Sequence, residues 1–430
     1  MRRTPVMRVQ QRGAATLVVV MVLFLVMALL AAYANRSQMF EQRISSSYSR
    51  GSLAQEVAEG GIEWALAQLN GPAVDASCKP QSAGGQRFVD RYLQIDPTDR
   101  SIKLVKKVTK TIADCTRNPS IQGWDCRCPD INAARVPPAA TGGSELTPSF
   151  GITMAAGTRG GTFSLRSRGC TDSVIDNCVV SSDVAGRSQA QQALVDFKAL
   201  IALVSAVRNP PAAPLIVKGD LTMTGTGLGL HNTDARSAGS LLAIGGAWSG
   251  LNEDRMQSVP GTSAAQALIQ GDHTLNTTNA EGVFKMFMGA KGSRYKQHPS
   301  LRTVTCAGDC AGAIQTAYAA GQRILWVEGP LKISSNKTLG SVGDPVLVIA
   351  TGNVELTGPF QFNGMLVAQA DLDWNNAGGV TSLVNGIVLV GGNMRTAGSM
   401  DISYQQAVAD QLRNRMGSFV RVPGSWTDND

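Results

Sequence analysis

One segment constrains the fold of this chain more than any other: the residues from Ala14 to Ala34 include no charged side chain. The segment has 21 residues (34 − 14 + 1), close to the ~20 that a helix needs to cross the ~30 Å hydrocarbon core of a membrane. Because only a helix satisfies its own backbone hydrogen bonds in lipid, we predict a membrane helix here. Its expected members include Ala14, Leu17, Val18, Leu25, Leu30 and Ala34.

The thirteen residues before this segment are basic. They contain Arg2, Arg3, Arg8 and Arg12 but no Asp or Glu. Cytoplasmic flanks of membrane helices carry an excess of Lys and Arg, so the N-terminus is predicted to stay in the cytoplasm while the bulk of the chain crosses. Residues 1–13 are therefore predicted to be a leader.

Three interpretations of this N-terminus compete. A cleaved signal peptide would use Ala32-Tyr33-Ala34 as its exit site, but such peptides have an apolar region of only ~7–15 residues. A signal anchor would keep the whole segment. In the third interpretation, a peptidase on the cytoplasmic side cuts between Gly13 and Ala14, and the helix serves first as an anchor and later as the packing core of a filament.

Two stretches of sequence support the third interpretation. Residues 11–18, QRGAATLV, resemble the class III-like leader of type IV pilins and pseudopilins, and most closely that of the PilX-like minor pilin family. Residues 51–63 resemble the alanine- and glutamate-rich helix of the same family. Val18 departs from the pattern of major pilins, which carry Glu at this place, but PilX-like and GspK-like minor subunits often lack that Glu too. The resemblance spans residues 8–70.

The resemblance implies a non-enzymatic minor pilin of a type IV pilus that acts in pilus assembly or initiation. Its helix 14–70 would pack with other minor and major pilins, after a prepilin peptidase has removed the leader. The protein would span the bacterial inner membrane once, with its head in the periplasm, and would then sit at the pilus tip on the cell surface, where a tip adhesin is a further candidate partner. Two alternatives stay open: a GspK-like pseudopilin of type II secretion, and a membrane-anchored β-solenoid that binds or degrades glycans.

The charge of the chain gives little support to a nucleic-acid partner. The formal net charge is +7, but four of these charges are the leader arginines, which leaves 7 − 4 = +3 on the processed chain. Aromatic residues are sparse at 5%, and the 46 glycines with short apolar runs favour a turn-rich β architecture.

All eight cysteines lie beyond the predicted membrane helix. An even number of cysteines in a translocated chain indicates disulfides. Short spacing favours the pairs Cys170–Cys178 and Cys306–Cys310. The remaining four are expected to pair among themselves, with different partners for the two members of the C-x-C motif: Cys78, Cys115, Cys126 and Cys128.

We predict an α+β fold with a mostly β head. The N-terminal helix should stop at Asn70-Gly71-Pro72. A disulfide-containing, pilin-like α+β region should follow over 71–208, within which residues 189–207 fit a helix and a strand equally well. Residues 209–430 are expected to form a β-solenoid-like repeat region with an insertion near 252–323.

The repeat consists of short apolar runs, each followed by small residues and then by an Asp, an Asn or another residue at the same position. Counted on that last position, the units fall at 220, 247, 330, 353, 371 and 393, with gaps of 27, 83, 23, 18 and 22. Periods of 20–25 residues with two strands and a turn per unit favour stacked solenoid coils. The alternative is an up-and-down sandwich whose hairpins look alike. Residues 403–416 are predicted to form a helix that caps the final coil.

No motif in the sequence predicts an enzyme, a metal or a cofactor. His231, His273 and His298 have no second ligand at metal-site spacing, and the chain has no G-x-S-x-G or Walker A sequence. The Gly225–Gly229 segment does not fit the dinucleotide fingerprint. A solvated turn explains one group of oxygen-bearing side chains better than a calcium site does: Asp371, Asp373, Asn375 and Asn376.

Overall fold

A single long helix, α1, forms the N-terminal part of the computed structural model, which describes residues 13–81, 84–105, 112–130, 147–178, 193–225, 227–376 and 379–427. Helix α1 runs from Gly13 to Asn70 and has 58 residues, a length of about 87 Å at ~1.5 Å per residue. It ends where Gly71 and Pro72 follow, since neither residue favours continuation of a helix. The predicted leader lies outside the described residues except for Gly13.

The chain next forms a small α+β region. Its helix and strands are β1 (Ala73–Val74), β2 (Gln86–Arg87), α2 (Phe88–Tyr92), β3 (Leu93–Ile95), β4 (Ile102–Leu104), β5 (Ala113–Asn118), β6 (Gly123–Arg127), β7 (Ser149–Ala156), β8 (Thr162–Cys170) and β9 (Leu194–Ser205). Strand β9 resolves the ambiguity of residues 189–207 over its described part. Phe197, Ala199, Ile201 and Leu203 are buried in alternation, which is the period of a strand.

The main sheet of this region is antiparallel and has the order β28-β9-β8-β7-β5-β6. Its edge strand β28 (Gly417–Arg421) comes from the far end of the chain and pairs with β9 from Gly417↔Ser205 to Arg421↔Ile201. The C-terminal strand of the region predicted as 209–430 therefore completes the sheet of the region predicted as 71–208.

The second part of the chain contains short strands with a few helices. They are β10 (Leu215–Val217), β11 (Leu221–Thr224), β12 (Leu228–His231), β13 (Leu242–Ile244), β14 (Trp248–Ser249), β15 (Met256–Gln257), α3 (Ala264–Ala267), β16 (Leu268–Ile269), α4 (His273–Thr277), α5 (Ala280–Met288), α6 (Gly292–Tyr295), β17 (Leu301–Val304), α7 (Ala311–Ala319), β18 (Ile324–Val327), β19 (Leu331–Ile333), β20 (Thr338–Leu339), β21 (Val346–Ala350), β22 (Val354–Leu356), β23 (Gln361–Ala368), β24 (Leu372–Asn376), β25 (Ser382–Val390), β26 (Met394–Gly398), β27 (Met400–Ser403) and α8 (Gln406–Asp410).

Strands β10 to β27 pair in parallel and form three stacks. Stack A has the order β17-β18-β21-β23-β25-β10-β13-β16, and stack B the order β19-β22-β24-β26-β11-β14. Stack C has the order β20-β23-β25-β27-β12-β15, so β23 and β25 each take part in two stacks. An up-and-down sandwich needs antiparallel neighbours, and the pairing between these described strands excludes it.

The order of strands in the stacks differs from their order along the chain. Strand β10, the first of this part, lies between β25 and β13, so that Leu215 pairs with both Val388 and Leu242. The chain joins the stacks in the middle and builds outwards through β13 and β16. It then starts again at the opposite end with β17. Residues 252–323, predicted as an insertion, include β15, β16 and β17, which belong to the two ends of the stacks.

Turns between stacks A and B carry a ladder of Asp and Asn side chains. Asn353 Oδ1 accepts the backbone N–H of Asp371 (3.3 Å), and Asp371 Oδ1 accepts that of Asn393 (2.8 Å). Asn393 Oδ1 accepts the N–H of Asp220 (2.9 Å), and Asp220 Oδ1 accepts that of Ala247 (2.8 Å). These are equivalent positions of the sequence repeat, and the ladder follows the order of the strands in stack B rather than the chain order.

One core lies inside the three stacks, and a second covers the outer face of stack A. Stack A is apolar on both faces because helices pack on its outside, which explains the continuous apolar run of β21. Val408 and Leu412, in and after α8, belong to this outer core together with Ile387 and Leu389 of β25. The prediction that residues 403–416 cap the final coil is therefore wrong, because α8 packs on the side of the stack.

Four disulfides link the eight cysteines: Cys78–Cys128, Cys115–Cys126, Cys170–Cys178 and Cys306–Cys310. Cys126 and Cys128 take different partners because Cys126 lies in β6 opposite Cys115 of β5, whereas Cys128 lies beyond the end of β6 and donates its backbone N–H to the carbonyl of Ala76 (2.8 Å). The Cys306–Cys310 loop lies at the end of stack B, where the Cys310 N–H donates to the carbonyl of Lys332 in the end strand β19 (2.7 Å).

Candidate assembly interface on the N-terminal helix

The first half of α1 exposes an apolar surface that no described part of the chain covers. Leu17, Val18, Leu25 and Leu30 are each more than half exposed. This is the one helix among the described residues long and apolar enough to cross a membrane, and its most apolar 18-residue window has a mean hydropathy of 3.0 with none of it buried. A surface of this kind requires lipid or other apolar helices around it.

The second half of α1 packs on the antiparallel sheet through small side chains. Ala54, Ala58 and Ala65 are fully buried against β7, β8 and β9. A Cβ atom on Gly169 of β8 would overlap the backbone of Ala54 and Ala58, and one on Gly61 would overlap the side chains of Ser167 and Phe150. The helix and the sheet approach so closely because these positions lack side chains.

The predicted apolar stripe of the helix divides into a free part and a packed part. Met39, Ile44 and Tyr48 are about half exposed or more, at 49%, 55% and 80%. Val57 and Ile62, further along the same stripe, are buried in the head. The boundary lies near residue 50, so the head covers one part of the helix and leaves the other part exposed.

Acidic side chains occupy the solvent face of the docked half. Glu56, Glu59 and Glu63 are exposed, Gln55 Nε2 donates to Glu59 Oε1 (3.3 Å), and Arg421 Nη1 lies 3.4 Å from Glu63 Oε1. Exposed ion pairs of this kind contribute little stability, ~0–1 kcal/mol. The acids therefore keep this face of the helix in water.

Asn70, the last residue of α1, joins three distant segments. Its Nδ2 donates to the carbonyls of Leu66 (2.9 Å) and Phe419 (2.8 Å). Its Oδ1 accepts the N–H of Phe419 (2.8 Å) and the hydroxyl of Ser300 (2.8 Å). The side chain thus closes the helix end and fixes it to β28 and to the segment before β17. In the sequence Asn70 is recognisable only as part of a helix stop, because Ser300 and Phe419 lie far away along the chain.

Ion pairs fix the small α+β region to the parallel stacks. Arg323 Nη2 lies 2.6 Å from Asp344 Oδ2, and Arg87 Nη2 lies 3.8 Å from Asp344 Oδ1. Asp90 binds both Arg87 (2.6 Å) and Arg415 (3.3 Å). Burial alone would raise the pKa of Asp344, but the hydrogen bonds and the charge of Arg323 outweigh it and lower the pKa below its usual value. No sequence motif indicated this network.

The histidines do not form a metal centre. His231 Nε2 lies 3.2 Å from Asp401 Oδ1, and Arg255 Nη2 binds the same oxygen at 2.6 Å. His273 begins α4, whereas His298 stacks beside Tyr295 with ring centroids 5.4 Å apart. In the part of the chain that the structure describes, no three His, Cys, Asp or Glu side chains are placed to hold a metal ion.

Protein groups also surround Asp371, Asp373, Gly227 and Gly229. Asp371 belongs to the Asp/Asn ladder, and Asp373 Oδ1 lies 2.7 Å from Arg395 Nε, so both carboxylates have partners within the protein. A Cβ on Gly227 would overlap the backbone of Gly398, and one on Gly229 would overlap the Asp401 side chain. Glycines occur here because neighbouring segments of the chain approach closely.

Comparison with known families finds a match for the N-terminal part of the chain. The PilX N-terminal family matches residues 12–63. The match covers the exposed apolar half of α1 and most of the half docked on the head, and it confirms the resemblance to PilX-like type IV pilins for this region. Comparison with curated proteins and with solved structures gives no match.

The PilX-type N-terminal region associates this chain with type IV pili and with a membrane anchor. In this region Gly13 is the first described residue of α1, and Val18 lies on its exposed apolar surface. The match ends at Glu63, so the head beyond it must be interpreted from its own geometry.

Proposed function

We propose that this protein is a non-enzymatic minor pilin that acts in the assembly of a type IV pilus and occupies the pilus tip. The exposed apolar half of α1, within a region that matches the PilX N-terminal family, carries this proposal. A helix surface of this kind suits burial among the helices of other minor and major pilins.

The proposed route starts in the bacterial inner membrane. A prepilin peptidase cuts between Gly13 and Ala14, the helix anchors the protein with its head in the periplasm, and assembly then brings the head to the cell surface. The basic leader and the uncharged run support this route. A tip adhesin is a further partner that the proposal allows.

Val18 supports a position at the tip. The Glu that major pilins carry at this place is thought to pair with the N-terminal amine of a neighbouring subunit in the apolar filament core. An unpaired carboxylate in hydrocarbon costs roughly 2.5–3.5 kcal/mol on insertion scales, so a subunit with Glu gains from recruiting a neighbour. A subunit with Val18 lacks this drive towards a subunit above it, while its own amine at Ala14 still satisfies a Glu arriving from below.

The head also favours a tip position. We interpret residues 71–208 together with β28 as a small pilin-like region, and residues 209–416 as a β-solenoid, a reading that the parallel stacks and their repeating Asp/Asn ladder support. A head with both parts is too large to repeat closely along a filament shaft. The division into domains and the solenoid assignment are part of this proposal.

The glycan alternative receives no support from the outer face of stack B. Lys332 Nζ lies 2.8 Å from Glu355 Oε1, and Arg395 pairs with Asp373 in the same row. Glycoside hydrolysis needs two carboxylates facing one substrate. On this described face the carboxylates face cations of neighbouring strands instead.

The proposal is tested by placing a carboxylate at one of two adjacent positions, Val18 or Val19. Val18→Glu should increase the number of copies per pilus and place the protein along the shaft, because the new charge recruits a neighbour. Val19→Glu is the matched control, since it carries the same insertion cost at the wrong position and should not increase incorporation. Quantitative proteomics of sheared pili and immunogold labelling of the head measure the two quantities. Regular labelling of the unmodified protein along the shaft would refute the tip position, and co-purification with type II secretion pseudopilins would favour the GspK-like alternative.

A further inference from the structure

A cavity of about 520 Å³ lies between the end of β9, strand β28 and helices α5 and α6. Three arginines line it, Arg100, Arg208 and Arg294, together with His298. No Asp or Glu lies among the described residues that form its wall. A cleft lined by charges of one sign attracts ions of the opposite sign, so the lining favours an anion.

None of the three arginines is neutralised by a carboxylate in the described part of the chain. Arg100 Nη2 donates to the carbonyl of Leu203 (2.7 Å), whereas its Nε is buried without a hydrogen-bond partner. Burial lowers the pKa of Arg100, and the positive charge of Arg413 adds to the effect. Arg208 and Arg294 are exposed, so their guanidinium groups are free to turn towards a ligand.

His298 adds an imidazole to the same wall. The N–H of Ser300 donates to Ser418 Oγ (2.8 Å), and the same Oγ is hydrogen-bonded to His298 Nδ1. Burial lowers the pKa of His298 to about 4, so the ring is neutral at physiological pH. The ring nitrogen Nε2 is buried without a hydrogen-bond partner among the described residues.

The charged groups of the wall are thus all guanidinium groups, which act only as hydrogen-bond donors. We propose that this cavity binds an oxyanion of the phosphate or sulfate class. The planar fork of Arg matches the oxygen geometry of such groups better than a Lys ammonium does. Leu203, Val204 and Met288 provide an apolar wall beside the cations, which suits the organic part of a phosphate or sulfate ester.

Isothermal titration calorimetry of the full-length chain in detergent, at constant ionic strength and neutral pH, tests the proposal. The probes are inorganic phosphate, inorganic sulfate and phenyl phosphate. Arg208→Gln and Arg294→Gln should each weaken binding about tenfold, because each removes a charge-assisted hydrogen bond. Tighter binding of phenyl phosphate than of inorganic phosphate identifies an ester as the ligand, and equal binding identifies the free ion.

Arg302→Gln is the matched control, since it removes the same charge from an exposed position outside the cavity and should leave the affinity unchanged. The proposal is overturned if none of the probes binds the unmodified chain at millimolar concentration, or if Arg302→Gln weakens binding as much as the cavity variants. Where a cavity variant does not fold, hydrogen exchange of the unmodified chain decides: phosphate should protect residues 201–208 and 288–298, and unchanged exchange there would refute binding.

Discussion

Substitution of Asn70 by Ala should detach strand β28 from the end of α1. The variant loses four hydrogen bonds and leaves the N–H and the carbonyl of Phe419 without their partner. Four hydrogen bonds at a net ~0.5–1.5 kcal/mol each would sum to about 2–6 kcal/mol. Water replaces part of the loss at this half-buried site, so we expect the local opening free energy of β28 to fall by about 2–3 kcal/mol.

Hydrogen exchange followed by mass spectrometry measures this loss directly. At ~1.4 kcal/mol per tenfold, amides of residues 417–421 should exchange about 30- to 140-fold faster in the variant. Asn375→Ala is the control, because Asn375 is exposed and its change should leave β28 protected. Exchange of β28 within about threefold of the unmodified protein would mean that Asn70 does not hold the junction, and the reasoning from its four bonds would be wrong.

Three further outcomes are expected. Mass spectrometry of the membrane-extracted protein should find the Gly13–Ala14 bond cut, whereas Gly13→Asp should leave the leader attached; an intact leader on the unmodified protein would contradict the pilin interpretation. Non-reducing peptide mapping should find Cys170–Cys178 and Cys306–Cys310 oxidised, each stabilising by ~2–4 kcal/mol, and free thiols would count against both. The folded pKa of His298, about 4, lies below its ordinary 6.5. The unfolded chain therefore gains the proton first, so the thermal midpoint should decline between these pH values as pH falls, and His298→Asn should flatten the decline.

The N-terminal helix was predictable because its signals are local. An uncharged run, a basic flank and a helix stop all act within a few residues of the structure that they specify. The small residues in the docked half of the helix were also evident in the sequence, but the sequence did not show that they pack against a sheet. Gly61 of the helix and Gly169 of β8 both allow the close contact between helix and sheet. They lie 108 residues apart along the chain (169 − 61), so the sequence could not show that they belong to one contact.

The repeat of the head was predictable from the sequence, but the spatial order of its strands was not. Apolar runs with an Asp or Asn at a fixed offset indicated equivalent positions, and four of those side chains do form one ladder. The spacing along the chain could not show that Asn393 precedes Asp220 in that ladder. The anion cavity was equally hidden, because Arg100 and Arg294 come from different parts of the chain and neither belongs to a basic run.

The position of β10 affects the way in which the head can form during synthesis. One neighbour of Leu215 follows after 27 residues (242 − 215), but the other follows only after 173 (388 − 215). At a synthesis rate of ~5–20 residues per second, the second neighbour appears about 9–35 s later. During that interval one edge of β10 has no strand to pair with, and exposed edges favour association with other chains. A helper protein that covers this edge would therefore matter most after β10 has emerged and before β25 has arrived.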